Sequence, residues 1–206
     1  MSWLFAQLYE RGGRGADKTV VADWRSELLA AAAGEVVEIG AGTGFNLKHY
    51  TDRVTRLVLT EPNEHMRSHL RARLEVPDGA EVELCEGVAE AIPLPDRSVD
   101  AVVSTLVLCS VASQAAALQE ARRVLRPGGR LLFLEHVGSD DARIARWQRF
   151  ARPFCGCLAD GCNPTRDTLG AIIAAGFEVE GLQRGRMPGL AGRLAPVIRG
   201  SAVLPG

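Results

Sequence analysis

The chain has 206 residues, 47% hydrophobic and 24% charged, with a formal net charge of −1. These proportions exclude wholesale disorder and give no bulk charge for a polyanionic partner; no run of about 18 apolar residues is available to span a membrane. Five cysteines, an odd number in a chain long enough to bury a core, do not look like a disulfide framework. The start Met1-Ser-Trp-Leu-Phe-Ala-Gln7 lacks the basic head and long apolar core of a signal peptide, so a reduced, cytoplasmic setting is expected.

Trp3 to Glu10 reads as a short amphipathic helix, and Gly12-Gly-Arg-Gly15 as a flexible joint. Residues 1–16 are thus an expected lid on a single domain spanning 1–206. Asp17 is the expected N-cap of a helix running to about Ala33, and Gly34 its stop. A buried strand, Val36 to Ile39, follows, then a helix over Phe45 to Tyr50, a strand over Thr55 to Thr60 and a helix from Asn63 to Leu74. Pro77-Asp-Gly79 reads as a turn into the strand Val82 to Cys85.

Val99 to Thr105 is a fourth strand, and Ser113 to Leu125 a helix broken by Arg126-Pro-Gly-Gly129. Arg130 to His136 is the fifth strand. Helices are expected from Asp141 to Phe154 and, with Pro164 in the first turn, from Pro164 to Ala175. The arginines between Arg143 and Arg152 read as a solvated helix face beside Trp147 and Phe150, and no nucleic-acid partner is expected. Phe177 to Leu182 and Val197 to Leu204 are the last strands. Only a Gly/Pro-rich link, 185–196, joins them, so they are expected to pair antiparallel. The alternation of elements predicts an α/β fold, a doubly wound, mostly parallel sheet covered on both faces.

Chemistry concentrates at Val36-Val-Glu-Ile-Gly-Ala-Gly-Thr-Gly44. An acid, Glu38, is followed by glycines at alternate positions, a tight turn where main chain approaches a ligand. Glu61 closes the next strand, where a carboxylate can take the hydroxyls of a ribose. A dinucleotide site wants G-x-G-x-x-G; here the third glycine comes one residue early and Phe45 stands in the last glycine's place. A carboxylate at Glu38 repels a pyrophosphate but suits the ammonium and sulfonium of S-adenosylmethionine. The pattern favours that cofactor.

Further segments agree: Thr60-Glu-Pro-Asn-Glu-His-Met66, Val88-Ala-Glu-Ala-Ile-Pro-Leu-Pro95, Ser98-Val-Asp-Ala-Val-Val-Ser104 and Glu120-Ala-Arg-Arg-Val-Leu-Arg-Pro-Gly-Gly129. With the glycine turn they resemble the class I S-adenosylmethionine-dependent methyltransferases. That resemblance implies a Rossmann-like, seven-stranded, mostly parallel sheet with an antiparallel last strand. Val107-Leu-Cys-Ser-Val111, Phe133-Leu-Glu-His-Val137, Trp147-Gln148, Asp160-Gly-Cys-Asn-Pro-Thr-Arg-Asp167 and Pro196-Val-Ile-Arg-Gly-Ser-Ala202 are similar to the subfamily that includes the animal alkyl thiol S-methyltransferases. Two departures bear on the acceptor. This N-terminus is unlike the membrane anchor of those animal proteins, and Val197 stands where that group often has histidine.

The resemblance implies that Gly40, Ala41 and Gly42 lie along the methionine moiety and that Glu38 fixes its ammonium, directly or through water. Glu61 would hold the ribose, Pro62 and Met66 would flank the adenine, and Ala89 and Glu90 would read its edge. Ser104, Thr105 and Leu106 would lie under the sulfonium. Met66 reads equally as helix packing, and Glu90 as a solvated side chain. His136, ending the fifth strand on the ligand side, is the candidate base; its other reading is a histidine bonded to a loop. Asp160 and Arg166 either shape the acceptor pocket or tie down a loop.

Cys109 reads as core. Cys155, Cys157 and Cys162 read as packing residues; zinc wants four ligands, no fourth lies nearby in sequence, and no metal is expected. The expected activity is methyl transfer to a small-molecule acceptor such as a thiol. A quinone ring or lipid amine, a non-catalytic module that binds S-adenosylmethionine, and a nicotinamide enzyme are the competing readings.

Overall fold

The computed structural model describes residues 6–7, 9–11, 15, 19–74, 79–158, 161–189 and 191–205. Seven strands form one sheet: β1 (Gly34–Ile39), β2 (Val54–Thr60), β3 (Glu81–Cys85), β4 (Val99–Thr105), β5 (Leu125–His136), β6 (Glu178–Arg186) and β7 (Pro196–Val203). Their order is β3-β2-β1-β4-β5-β7-β6, and β7 runs antiparallel to both its neighbours while the other pairs are parallel. The fold class expected from the sequence is the one observed.

The central strands β1, β2, β4 and β5 are largely apolar on both faces because both faces are covered. On one face Val37, Val58, Val102, Leu131 and Phe133 pack under α3 (Gln114–Val124) and α5 (Thr168–Ala174), through Leu118, Ala121 and Ile172. On the other, Val36, Leu57, Leu59, Val103, Leu132 and Leu134 meet α1 (Val20–Leu29) and α2 (Glu64–Arg71), through Leu28, Leu29 and Leu70. Truncating a fully buried residue such as Leu132 to alanine costs about 2–5 kcal/mol.

Element ends follow local chemistry. Asn63 caps α2 by accepting from the His65 and Met66 N–H groups, and Ser113 caps α3 by accepting from Ala116. Helix α1 starts later than expected, at Val20, with Thr19 as its cap; Asp17 lies outside the described residues. The turn 45–50 tightens to a single 3-10 turn, Leu47–His49. Helix α5 begins at Thr168, not Pro164, because the Asp167 carboxylate caps it by accepting from Gly170 N–H. Helix α4 (Ala142–Leu158) runs through Pro153 and past the expected end at Phe154.

The switch in strand order falls between β1 and β4. Register sets Ile39 beside both Thr60 and Ser104, and Thr105 beside Leu134, so the carboxyl tips of β2, β1, β4 and β5 lie side by side. Such a crevice is where open α/β sheets bind ligands.

Candidate active site

A cavity of about 560 Å³ lies beyond those four tips. On its β1–β2 side the wall is main chain and one carboxylate. Gly40 and Gly42 both take φ +59°, which side chains rarely adopt. A Cβ on Gly40 would stand 2.7 Å from Val107 Cγ2, and one on Gly42 would stand 3.3 Å from Tyr9 Cε1. Glycine keeps the turn bare and the approach open.

Glu61 is buried, 4% exposed, and reaches back over this turn. Its Oε2 accepts from Gly42 N–H at 2.9 Å and its Oε1 from Asn63 N–H at 2.8 Å. Glu61 also lines the cavity. Arg67 fixes the backbone behind it by donating to the Glu61 carbonyl at 2.6 Å. Pro62, Met66, Ala89 and Glu90 continue the wall.

Beneath the turn sits a buried polar network. Glu38 accepts from Asn46 Nδ2 at 2.8 Å and from Tyr50 Oη at 2.7 Å. Asn46 Nδ2 also donates to Thr105 Oγ1 at 2.9 Å, tying the β1 tip to the β4 tip, and Arg25 donates to Asn46 Oδ1. Burial pushes the Glu38 carboxyl up to about 7, against the pull of Tyr50, Asn46 and Arg25.

The β4–β5 side is built differently. Leu106 follows β4 at φ 61°, an uncommon conformation for a bulky residue, held by its N–H donating to Leu134 O at 2.7 Å. The fully buried Glu135 carboxylate organises the loop that follows. It accepts from Ser104 Oγ at 2.6 Å, Val107 N–H at 3.1 Å and Cys109 N–H at 3.2 Å. Arg166 clamps the loop from outside, donating to Leu108 O at 2.7 Å and Val111 O at 2.5 Å, and Asn163 N–H donates to Cys109 O at 2.8 Å. Arg166 therefore ties down a loop; Asp160 lies outside the described residues.

Three reactive side chains meet there. Cys109 Sγ and Cys162 Sγ are 3.7 Å apart, and His136 Nδ1 is 4.0 Å from the first and 3.8 Å from the second. The bond from Cys162 and burial push the Cys109 thiol well above its usual range. For His136 burial disfavours the charged ring, but Cys109 and the Glu135 charge outweigh it and hold the imidazole above its ordinary value. His136 Nε2 is buried without a hydrogen-bond partner among the described residues. Val88, Val107, Val111 and Ala112 make the surrounding wall apolar.

Gly40, Gly42, Glu61, Pro62, Met66, Ala89, Glu90, Thr105, Leu106 and His136 all line the one cavity. Glu38, Ala41 and Ser104 are not among its lining residues. The Glu38 oxygens face Asn46 and Tyr50, Ala41 N–H is spent on Thr60 O, and the Ser104 hydroxyl turns back to Glu135. Tyr9, Cys109 and Cys162 line the cavity without having been expected there. Tyr9 packs on Phe45 with ring centroids 6.3 Å apart, and Arg73 beside it pairs with Glu10.

The site chemistry fits S-adenosylmethionine: bare main chain, a carboxylate at the β2 tip, and an apolar wall bearing a thioether at Met66. Comparisons with known proteins agree. Residues 37–133 match a family described as a methyltransferase domain. Human thiol S-methyltransferase TMT1B is 37% identical over 180 residues, covering 85% of this chain and 73% of its own. An uncharacterized methyltransferase of Mycobacterium tuberculosis is 42% identical over 161 residues, covering 78% of this chain and 60% of its own. The fold matches a solved SAM-dependent methyltransferase from Thermotoga maritima with a TM-score of 0.70 at 22% identity, over 98% of this chain and 97% of that one. This chain belongs to the class I S-adenosylmethionine-dependent methyltransferases and, within them, is similar to the thiol S-methyltransferases.

Proposed function

We propose that the enzyme methylates the sulfur of a small, largely apolar thiol. One observation carries this reading: the β4–β5 wall is apolar, and its ionisable groups are an imidazole and two thiols gathered at one point. A thiol has an ordinary pKa near 8.5, so it needs only a slight push to become the nucleophile, whereas a phenol or amine needs a stronger base. The relatives named thiol S-methyltransferases support the same acceptor class.

S-adenosylmethionine, when bound, supplies a methyl on a sulfonium that departs as a neutral thioether. The chain's part is to bind, orient and exclude water. Gly40 and Gly42 offer main chain to the methionine moiety, and the Glu61 carboxylate takes the ribose hydroxyls. Pro62 and Met66 flank the adenine, with Ala89 and Glu90 at its edge. Thr105 and Leu106 form the floor between the two sides. Glu38, held by Asn46 and Tyr50, and Ser104, through Glu135, set the loops rather than touch the ligand. Tyr9 covers the glycine turn, which supports the N-terminal segment as a lid.

The test is product analysis. Incubation with S-adenosylmethionine and matched thiols, alcohols, amines and quinols should give S-adenosylhomocysteine and methyl thioethers from the thiols. Methylated product from oxygen, nitrogen or carbon acceptors alone would reject the thiol assignment.

A further inference from the structure

We infer that Cys109, His136 and Cys162 form a site for one divalent thiophilic cation of the zinc class, with its fourth position open to the acceptor cavity. The geometry carries this. With Zn–S near 2.3 Å and Zn–N near 2.0–2.1 Å, a tetrahedral ion holds two sulfurs about 3.8 Å apart and each sulfur about 3.6 Å from the nitrogen. The structure has 3.7 Å between the sulfurs and 3.8 and 4.0 Å from sulfur to Nδ1. All three ligand atoms lie within 4.8 Å of one another.

A purely hydrogen-bonded trio accounts for the arrangement less well. The sulfur–nitrogen separations are long for S–H···N bonds and close to those that a shared tetrahedral ion imposes. Two thiolates and a neutral imidazole would balance a divalent charge. All three side chains also line the cavity. They come from loop 107–111, the end of β5 and the 160–167 segment, three of the stretches that carry the resemblance to the thiol S-methyltransferases.

Three protein ligands and one vacant position are the pattern of a catalytic rather than a structural zinc. The chemistry then rests on the thiol reading. The acceptor thiol binds through sulfur, a metal–sulfur bond forms, and the thiol proton leaves to solvent. That sulfur next forms a bond to the methyl carbon while the carbon–sulfonium bond breaks, its electron pair returning to the departing sulfur. No oxidant or reductant is involved.

The experiment loads metal-stripped, reduced full-length protein with zinc chloride and, separately, cobalt chloride. One equivalent should bind, and cobalt should give sulfur-to-metal charge-transfer absorption with intense tetrahedral visible bands. Adding a small alkyl thiol without S-adenosylmethionine should shift those bands. Cys109→Ser, Cys162→Ser and His136→Asn should each weaken binding more than about 100-fold, beyond the usual loss from a supporting residue; Cys85→Ser and Cys157→Ser should leave one equivalent bound. Failure of the folded wild type, checked by circular dichroism, to bind zinc at micromolar free metal overturns the site. Undiminished thiol methylation after complete chelation overturns the part the ion is given in the chemistry. Zinc bound through the trio with no thiol methylated would instead reject the thiol reading and leave the metal site standing.

Discussion

The β1–β2 side of the cavity presents main chain and a carboxylate; the β4–β5 side presents sulfur and imidazole. The first is shaped by Gly40, Gly42 and the Glu61 carboxylate that accepts from Gly42 N–H, and a side chain on Gly40 would meet Val107. The second puts a polarisable trio, Cys109, His136 and Cys162, in an apolar wall. The proposed function turns the contrast into a division of labour, in which one side would hold the cofactor and the other present the acceptor. Asn46, bonded to both Glu38 and Thr105, is the joint between them.

The largest expected effect starts from the first side. Gly40→Ala forces a side chain into φ +59° and within 2.7 Å of Val107 Cγ2. Strain of about 1–2 kcal/mol and overpacking of about 1–3 kcal/mol should lower S-adenosylmethionine affinity roughly 30-fold or more, read by calorimetry. Cys109→Ser is nearly isosteric and its sulfur meets Cys162 and His136, so it should leave that affinity within about twofold. If Gly40→Ala binds the cofactor normally, the division between the sides is wrong.

The joint predicts a pH dependence of similar size. Glu38 has its carboxyl raised to about 7 in the folded protein, against 4.5 for the free group. The folded state therefore holds a proton that the unfolded state releases between those values. The resulting stabilisation is complete below pH 4.5 and disappears as pH rises through 7. Between pH 5 and 8 it amounts to about 2–3 kcal/mol. Glu38→Gln keeps the shape and should flatten the wild-type decline by that amount in urea melts. Identical slopes in the two proteins would show that Glu38 is not buried as described.

The two sides also differed in how readable they were. Gly40, Gly42 and Glu61 sit within one β-turn-β-α stretch, so local spacing alone placed them at adjacent strand tips. Cys109, His136 and Cys162 are 27 and 26 residues apart and meet only once the order β4-β5 and the clamp from Asn163 and Arg166 are known. His136 was visible as the last residue of a strand, whereas nothing local distinguished the sulfurs from core. At Glu38 and Ser104 the spacing marks the position but not the side chains' partners, because Asn46, Tyr50 and Glu135 approach from other segments. The cap at Asp167 likewise displaced the expected Pro164 start of α5.

A smaller effect sharpens the second side. Glu135 holds the Val107 and Cys109 N–H groups by charge-assisted bonds, each worth about 1.5–3 kcal/mol. Glu135→Gln keeps the volume but loses the charge, and should loosen the loop on which Cys109 stands. The expected result is a roughly tenfold fall in kcat/KM for the acceptor, about 1.4 kcal/mol, with cofactor affinity within about twofold. An equal loss on both would mean that the loop serves the whole cavity.

The smallest effect concerns what covers the first side. Tyr9 lies over Gly42 and packs on Phe45, while the neighbouring Glu10 pairs with Arg73, whose guanidinium sits 4.6 Å above the Phe45 ring. An aromatic pair of this kind contributes about 0.5–1.5 kcal/mol. Tyr9→Ala should thus raise the cofactor dissociation constant about fivefold, chiefly through faster release, because a cover slows escape more than entry. Tyr9→Phe keeps the ring and should stay near wild type. A slower association rate at unchanged dissociation, measured by stopped flow, would make Tyr9 part of the binding wall and not a lid.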